Sequence, residues 1–231
     1  MLSSVLTNTP AREGVAHVLV RLLQTWGSLP WVRRGAVYSP LPAALPMPGL
    51  TAWQALFVHG RLSAGHRVLI HGAGGGVGTV AVQLARAARA HVIATGHGPA
   101  RDLVTELGAE QFVDLDRERF EDLAETVDVV IDFVGGEILR RSAAMVREGG
   151  VVVSVVEDPR IQPNQAGRVS GMYFLVEPAR PELEELARRA EQGELRPVVG
   201  EVFDLADGAK AFDTKRGGGL PGKVVLRISD H

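Results

Sequence analysis

A turn rich in glycine, GAGGGVG, joins an apolar segment to a segment with helical spacing. The apolar segment Arg67–His71 is typical of a buried strand, and Val77–Arg89 places its apolar residues on one helix face. Glycines let a backbone turn tightly and approach a pyrophosphate, while the free N–H groups at the helix start face the phosphates. Gly75 and Gly78 fill the second and third positions of the dinucleotide-binding fingerprint, and Ala73 stands at the first. The turn Ala73, Gly74, Gly75, Gly76, Val77 and Gly78 is therefore the predicted cofactor cradle.

The second predicted strand, His91–Thr95, bears on which cofactor binds. An Asp or Glu at the end of this strand would bond the ribose 2′-hydroxyl of NAD, but the strand ends in Thr-Gly-His. His97 and Arg101 lie just beyond and favour a 2′-phosphate, which predicts NADPH. Two alternatives stay open: the glycine turn only closes a βα unit, and Arg101 is a solvated residue of a first helical turn.

Apolar runs of strand length alternate with helical stretches from residue 67 onward, a pattern that predicts a parallel sheet covered on both faces. The fold class is α/β, a Rossmann-type doubly wound sheet. The further predicted strands are Gln111–Val113, Asp128–Asp132, Val151–Val156 and Met172–Val176. Gly149 and Gly150 predict a turn before the fifth strand, and residues 157–171 predict a loop over the strand ends.

The two ends of the chain have other patterns. Val15, Val18, Leu19, Leu22, Leu23 and Trp26 define an amphipathic helix. Residues 29–49 contain many prolines and predict an extended connector over a surface. After a helix at Pro181–Gln192, the tail predicts a strand at Pro197–Phe203, a short helix at Ala209–Phe212 and a strand at Lys223–Ile228, part of a second, partly β lobe.

Composition excludes several classes of function. The 231 residues are 45% hydrophobic and 23% charged, with a formal net charge of -2, which is typical of a globular protein without an electrostatic footprint for nucleic acid or a membrane. The absence of a signal peptide or apolar spanning segment predicts a soluble, cytoplasmic protein. Because the chain has no cysteine and its seven histidines lack metal-site spacing, no metal is expected.

Eight segments, in order, resemble the zinc-free quinone oxidoreductase (zeta-crystallin-like) branch of the medium-chain dehydrogenase/reductase superfamily. The resemblance covers about residues 41 to 229. The segments are LPMPGLTAWQALF, RVLIHGAGGGVGTVAVQLARAARAHVIAT, ELGAEQFVD, DVVIDFVGG, REGGVVVSV, YFLVEP, GELRPVVGEVFDLADGAKAF and PGKVVLRI.

The resemblance implies an NADPH-binding Rossmann domain that reduces quinones or activated alkenes, small molecules that receive hydride from the cofactor. It implies that Phe133, Val134 and Gly135 line the adenosine side. The residues implied to approach the nicotinamide are Thr51, Ser154, Val155, Val156, Phe174, Leu175 and Val176. It also implies a homodimer formed by the edge strand near YFLV.

A proton donor would complete the reaction, and the two tyrosines, Tyr38 and Tyr173, are the candidates, because a phenol can hydrogen-bond a carbonyl. Each is also explained as a packed aromatic residue. Tyr173 belongs to the segment that the resemblance places near the nicotinamide.

The resemblance begins late in the family pattern, since about 48 residues precede PGLTAWQAL and they lack the N-terminal substrate lobe. We expect a truncated lobe at 1–50, a dinucleotide-binding domain at 51–194 and a C-terminal remnant of the lobe at 195–231. The leading interpretation is an NADPH-dependent quinone or enone reductase. The alternatives are a non-redox biosynthetic enzyme such as a cyclase, a non-catalytic NADPH-binding module, and a degenerate fragment.

Overall fold

A six-stranded parallel sheet forms the centre of the molecule, which a computed structural model describes for residues 41–159 and 167–228. The strand order is β3-β2-β1-β4-β5-β6, and every neighbouring pair is parallel. The strands are β1 Arg67–His71, β2 His91–Gly96, β3 Gln111–Asp114, β4 Val127–Asp132, β5 Val146–Ser154 and β6 Ser170–Tyr173. The predicted doubly wound sheet is confirmed. Its order reverses between β1 and β4, and ligands of open α/β sheets bind at the carboxyl ends of such strands.

Helices cover both faces of this sheet because each crossover between parallel strands needs a connection over one face. The helices of the described residues are α1 Leu41–Ala44, α2 Pro46–Trp53, a π-helix Gln54–His59, α3 Gly78–Ala87, α4 Arg101–Leu107, α5 Gly136–Ser142, α6 Arg180–Glu191 and α7 Gly208–Gly217. Short 3₁₀ turns lie at Gly98–Ala100, Phe120–Asp122, Ala143–Met145 and Leu205–Asp207. No helix among them has the length and apolar character needed to cross a membrane.

The hydrophobic core has two layers, one on each face of the sheet. Alternate residues of β1 separate into them: Val68 and Ile70 pack on one side, and Leu69 packs on the other. The first layer contains residues of α2, α3 and α6, and the second contains Phe120 and Leu139. Strands buried on both faces explain the nearly continuous apolar sequences from which they were predicted.

The Pro-rich segment differs from its prediction. Residues 29–40 lie outside the described part, but residues 46–53 form α2 where an extended connector was expected. Pro46 and Pro48 are tolerated because they lie among the first four residues of the helix, whose N–H groups have no intrahelical acceptor. Leu45 and Leu50 are buried, so this segment belongs to the core. The predicted amphipathic helix at 15–26 also lies outside the described residues.

Strands β5 and β6 begin earlier than predicted. β5 starts at Val146, which pairs with Val127 of β4, and the predicted turn at Gly149 and Gly150 lies within the strand beside a register shift. β6 covers Ser170–Tyr173 rather than Met172–Val176, because its partner β5 ends at Ser154, which pairs with Tyr173. The apolar residues that follow Tyr173 have no strand of the described residues beside them to pair with.

A second sheet contains β7 Val199–Asp204 and β8 Lys223–Arg227, which run parallel to each other. Helix α7 connects them and packs on both. The predicted tail strands are present with close bounds, and the predicted short helix is longer. The amino end of β8 reaches back to the six-stranded sheet, where Gly222 forms an isolated bridge with Gly75.

His71, the last residue of β1, is completely buried and joins three elements by hydrogen bonds. Its Nδ1 lies 2.9 Å from the Thr95 hydroxyl of β2, and its Nε2 lies 2.9 Å from the Ser142 hydroxyl of α5. Ser142 donates its hydrogen to the carbonyl of Ile138 at 2.7 Å, so Nε2 carries the imidazole proton and Nδ1 accepts from Thr95. Burial, with a smaller effect of Arg141, lowers the pKa of His71 to about 3.

We expect His71 to make the fold less stable in mild acid. The unfolded chain binds a proton near pH 6.5 that the folded chain takes up only near pH 3, so stability falls as the pH drops through this interval. The slope from this residue is about 1.4 kcal/mol per pH unit. Urea unfolding between pH 7 and 4 should give a flatter curve for His71→Leu than for the wild type. The exposed His91→Gln serves as the matched control, and equal slopes in all three proteins would contradict the assignment.

Candidate functional site

The glycine turn lies where β1 ends and α3 begins, at the carboxyl end of the sheet's central strands. Gly72 has a φ of +73°, a conformation that side chains rarely adopt. The N–H of Gly75 donates to the carbonyl of Gly72 at 3.0 Å, and the N–H of Thr79 donates to Gly75 at 3.0 Å. The chain therefore leaves the strand in a closed turn and enters the helix directly.

Gly78 permits the closest approach in this turn. A Cβ at Gly78 would lie 2.2 Å from the carbonyl oxygen of Gly72 and 2.6 Å from the Cα of Ala73. Both atoms belong to the backbone, so neither can move aside without opening the turn. The third fingerprint glycine thus brings helix α3 against the end of β1, as the sequence predicts.

Two consecutive amide groups of the turn have no acceptor. The N–H of Gly76 faces the carbonyl of Gly222 in the isolated bridge between Gly75 and Gly222. Within residues 41–159 and 167–228, the N–H groups of Val77 and Gly78 donate to no backbone or side-chain oxygen. They lie at the start of α3, a ten-residue helix whose dipole adds positive potential at this end. Unpaired N–H groups at a helix start form a cradle for an anionic group such as phosphate.

Strand β8 lies on the glycine turn, a contact that the sequence did not indicate. The N–H of Gly222 donates to the carbonyl of Gly74 at 2.9 Å. The alkyl chain of Lys223 covers Gly76, where a Cβ would lie 2.6 Å from the lysine Cδ. Burial, and to a smaller extent Lys215, lowers the pKa of Lys223 from its usual value. The lysine ammonium has no hydrogen-bond acceptor among the described residues, which leaves it available to an anion in the cradle.

The two residues predicted to bind a 2′-phosphate follow the end of β2, and each already forms an ion pair with a carboxylate. Arg101 donates to the carbonyl of Phe112 at 3.1 Å and lies 3.3 Å from the Glu118 carboxylate. The ring of His97 lies 2.9 Å from the Asp116 carboxylate. All four charged side chains are substantially exposed, so these ion pairs are weak.

Carboxylates reach this region from β3 rather than from β2. β3 pairs with β2 in a register that places Asp114 beside Gly96. A Cβ at Gly98 would lie 2.9 Å from the Asp114 carboxylate. The sequence was searched for an acidic residue only at the end of β2. Asp114, Asp116 and Glu118 were therefore missed, because the pairing of β3 with β2 is what places them beside this strand end.

The predicted adenosine residues form the turn after β4, next to the glycine turn. A Cβ at Gly72 would lie 3.0 Å from the Val134 side chain, which is 44% exposed and can cover a flat ring. The buried Asp132 carboxylate accepts hydrogen bonds from the N–H groups of Val134 and Gly135 and from the Ser154 hydroxyl at 2.8 Å. Burial raises the pKa of Asp132 despite these bonds.

The predicted nicotinamide residues divide into buried and exposed groups. Thr51 and Ser154 are buried, and their hydroxyls donate to the carbonyl of Met47 and to Asp132, respectively. Phe174 is buried against the ring of His59 at a centroid distance of 4.3 Å. Val155 and Val176 are partly buried, whereas Val156 and Leu175 are exposed after the carboxyl ends of β5 and β6. These two residues give the sheet edge an apolar surface.

One of the two candidate proton donors belongs to the described residues. Tyr173 is the last residue of β6, the edge strand, and is 43% exposed. Tyr38 lies outside the described residues. No group of three or more His, Cys, Asp or Glu within the described ranges is arranged to hold a metal ion. Because the chain also lacks cysteine, these residues do not fit a thiolate zinc site.

Comparison with known proteins gives consistent relatives. A family model described as zinc-binding dehydrogenase matches residues 107–226. The mitochondrial NAD(P)H oxidoreductase RTN4IP1 of Danio rerio is 30% identical over 81% of this chain and 57% of its own length. The quinone oxidoreductase of Mus musculus is 32% identical over 80% of this chain and 62% of its own length.

Solved structures share the fold as well. The quinone oxidoreductase from Coxiella burnetii superposes with a TM-score of 0.76 at 32% identity, over 81% of this chain and 60% of that one. The CurK enoyl reductase superposes with a TM-score of 0.71 at 28% identity, over 81% and 62%. The chain thus spans roughly three fifths of the length of these four proteins. It belongs to the zinc-binding dehydrogenase family, within the medium-chain dehydrogenase/reductase superfamily.

Proposed function

We propose that this protein is an NADPH-dependent oxidoreductase that transfers hydride to a quinone or an activated alkene. The observation that carries the proposal is the pair of unpaired N–H groups at Val77 and Gly78, held open at the start of α3. This pair suits the pyrophosphate of a nicotinamide dinucleotide in position and in charge. The relatives named as oxidoreductases support a redox activity of the same general kind.

Different residues around the turn contact different parts of the cofactor. The N–H groups of Val77 and Gly78 bind the pyrophosphate, and Lys223 supplies a positive charge beside them. Val134 packs on the adenosine, and Val156 and Leu175 form the apolar surface on the nicotinamide side. When bound, NADPH supplies the hydride, so the protein positions the acceptor and excludes water. Because the chain contains no cysteine, a thiolate zinc site forms no part of the proposal.

Arg101 and His97 are proposed to select NADPH by binding its 2′-phosphate. Both must exchange a carboxylate partner for the phosphate, Arg101 from Glu118 and His97 from Asp116. Exposed ion pairs contribute about 0 to 1 kcal/mol, whereas a charge-assisted hydrogen bond contributes about 1.5 to 3 kcal/mol. The exchange is therefore favourable, and Glu118 reduces the preference for NADPH without abolishing it.

The acceptor is proposed to be an apolar, conjugated molecule. The named quinone oxidoreductases and the CurK enoyl reductase support this class of substrate. The exposed Val156 and Leu175 offer an apolar surface that suits it. Tyr173 is the proposed proton donor of the described residues, since it ends β6 opposite Ser154.

A second candidate function is a non-catalytic NADPH-binding module. The position of Tyr173 on the edge strand, with its side chain 43% exposed, favours it, because a proton donor is usually enclosed beside the reacting group. Both functions require NADPH binding at the glycine turn, but only the reductase oxidises NADPH.

The remaining parts of the proposal concern assembly and location. β6 is the last strand of the sheet, and its outer edge pairs with no strand of the described residues, which suits a homodimer through this edge. A small net charge of -2 gives no reason to expect a nucleic-acid partner. We propose a cytoplasmic protein with domain divisions near residues 50 and 194.

Arg101→Ala should weaken NADPH binding by about 10- to 100-fold and leave NADH binding unchanged, because only the 2′-phosphate loses its partner. Calorimetric titration of the wild type and the variant with each cofactor measures both affinities. Arg140→Ala is the matched control, since Arg140 is equally exposed and pairs only with Glu137 on α5. An equal loss for NADH would remove Arg101 from the specificity role.

Glu118→Gln should strengthen NADPH binding by about 3- to 10-fold, because it removes a competing charge while a side-chain oxygen can still accept from the N–H of Asp114. The same titration gives the affinity, and NADH serves as the internal control. Unchanged or weaker NADPH binding would show that Arg101 does not exchange Glu118 for phosphate.

Wild-type protein should oxidise NADPH in the presence of 1,4-benzoquinone or an α,β-unsaturated ketone, followed at the absorbance of the reduced cofactor. Tyr173→Phe should lower the turnover of the ketone by about 100-fold or more and leave NADPH affinity unchanged. Tight NADPH binding without any turnover would support the non-catalytic module instead. Unchanged turnover in the variant would remove Tyr173 from the reaction.

A further inference from the structure

The second sheet is small and incompletely covered. β7 and β8 pair only with each other within the described residues, and a sheet of two strands is marginally stable in water without further packing. Helix α7 covers one part of it: Lys210 lies 5.7 Å from the centre of the Phe203 ring, and Phe203 is buried. Leu226, at the carboxyl end of β8, stays 42% exposed, although it lies near the start of α7.

Three exposed apolar side chains lie at the carboxyl ends of these strands. Leu226 of β8 pairs with Phe203, Leu205 begins the 3₁₀ turn directly after β7, and Ile228 directly follows β8. Leu205 is 56% exposed, Leu226 is 42% exposed and Ile228 is 74% exposed. These three residues are here named the C-terminal apolar face. An apolar surface of adjacent large side chains normally marks a contact with another element.

The described chain begins beside this sheet. Its first helix, α1, contacts β8, so the 40 residues before Leu41 start their path at the second sheet. Within them, Val15–Trp26 carries six apolar residues at helical steps of three and one. The 14 residues between Trp26 and Leu41 reach up to about 45 Å when extended, more than a small domain's radius. A tether of this length also gives a high effective concentration.

We propose that Val15–Trp26 docks as an amphipathic helix on the C-terminal apolar face of the same chain. The segment needs an apolar surface, and the second sheet presents one where the chain enters. Because β8 begins on the glycine turn through Gly222, the docked helix stabilises the strand that carries Lys223 to the cofactor cradle. The proposal is independent of which cofactor or acceptor the site takes.

Hydrogen exchange measured by mass spectrometry tests the docking directly. In the full chain, amides of residues 15–26 should exchange at least tenfold more slowly than an unstructured peptide. Leu226→Glu should abolish that protection, because docking would bury the glutamate charge in an apolar contact at a high cost in free energy. Val58→Glu is the matched control, since Val58 is as exposed as Leu226 but lies on the π-helix, and it should keep the protection.

Other outcomes would overturn the proposal. Absence of protection in the wild type, or protection that survives both Leu226→Glu and Leu205→Glu, would show that this face is not the docking site. Protection that disappears on dilution would assign the face to a second copy of the chain. The sheet strands must keep their own slow exchange in each variant, which separates undocking from unfolding.

A cross-linking measurement keeps the test independent of stability. The natural chain has no cysteine, so a bis-maleimide reacts only with the two introduced cysteines, and dilute protein limits links between chains. A short bis-maleimide should join Leu22→Cys to Leu226→Cys within one chain. It should join Gln24→Cys, on the opposite side of the predicted helix, at least tenfold less. Equal yields for the two pairs would contradict docking through the apolar stripe.

Discussion

The close approach of helix α3 to the end of β1 is the constraint on which the rest of the site depends. Only a residue without a side chain can occupy position 78, because the carbonyl of Gly72 lies where its Cβ would be. This approach starts the helix directly after the turn and leaves the N–H groups of Val77 and Gly78 without acceptors. An anion can satisfy these groups, so a packing requirement and a binding site arise from the same glycines.

The second sheet is part of this site. β8 begins with Gly222 bonded to the turn, and its next residue, Lys223, lies along Gly76. A residue more than 140 positions away along the chain thereby places a cation beside the cradle. The same arrangement places the Lys223 side chain where a side chain at position 76 would lie, although the fingerprint does not require glycine there. The stability of the small sheet and the charge of the cradle are consequently linked.

Much of the fold and part of the site follow from local sequence. Strand β1, the glycine turn and helix α3 were predicted closely, because burial on two faces and helical spacing leave clear local patterns. The contact of Lys223 and the carboxylates beside Arg101 could not be predicted, because strand pairing brings them from distant positions. Residues 46–49 of the predicted connector were misassigned, because proline disfavours only helix interiors and Pro46 begins a helix. Strand β6 was displaced because its partner, rather than its own composition, determines where it ends.

The central claim is that the turn at Val77 and Gly78 holds the pyrophosphate of a nicotinamide cofactor. Nuclear magnetic resonance of the ¹⁵N-labelled protein during titration with NADPH tests it at the atoms concerned. The amide signals of these two residues should shift most and saturate together, with smaller shifts at Val134. Saturating NADPH that leaves these two signals unmoved, or moves only amides at the amino ends of the strands, would contradict the account.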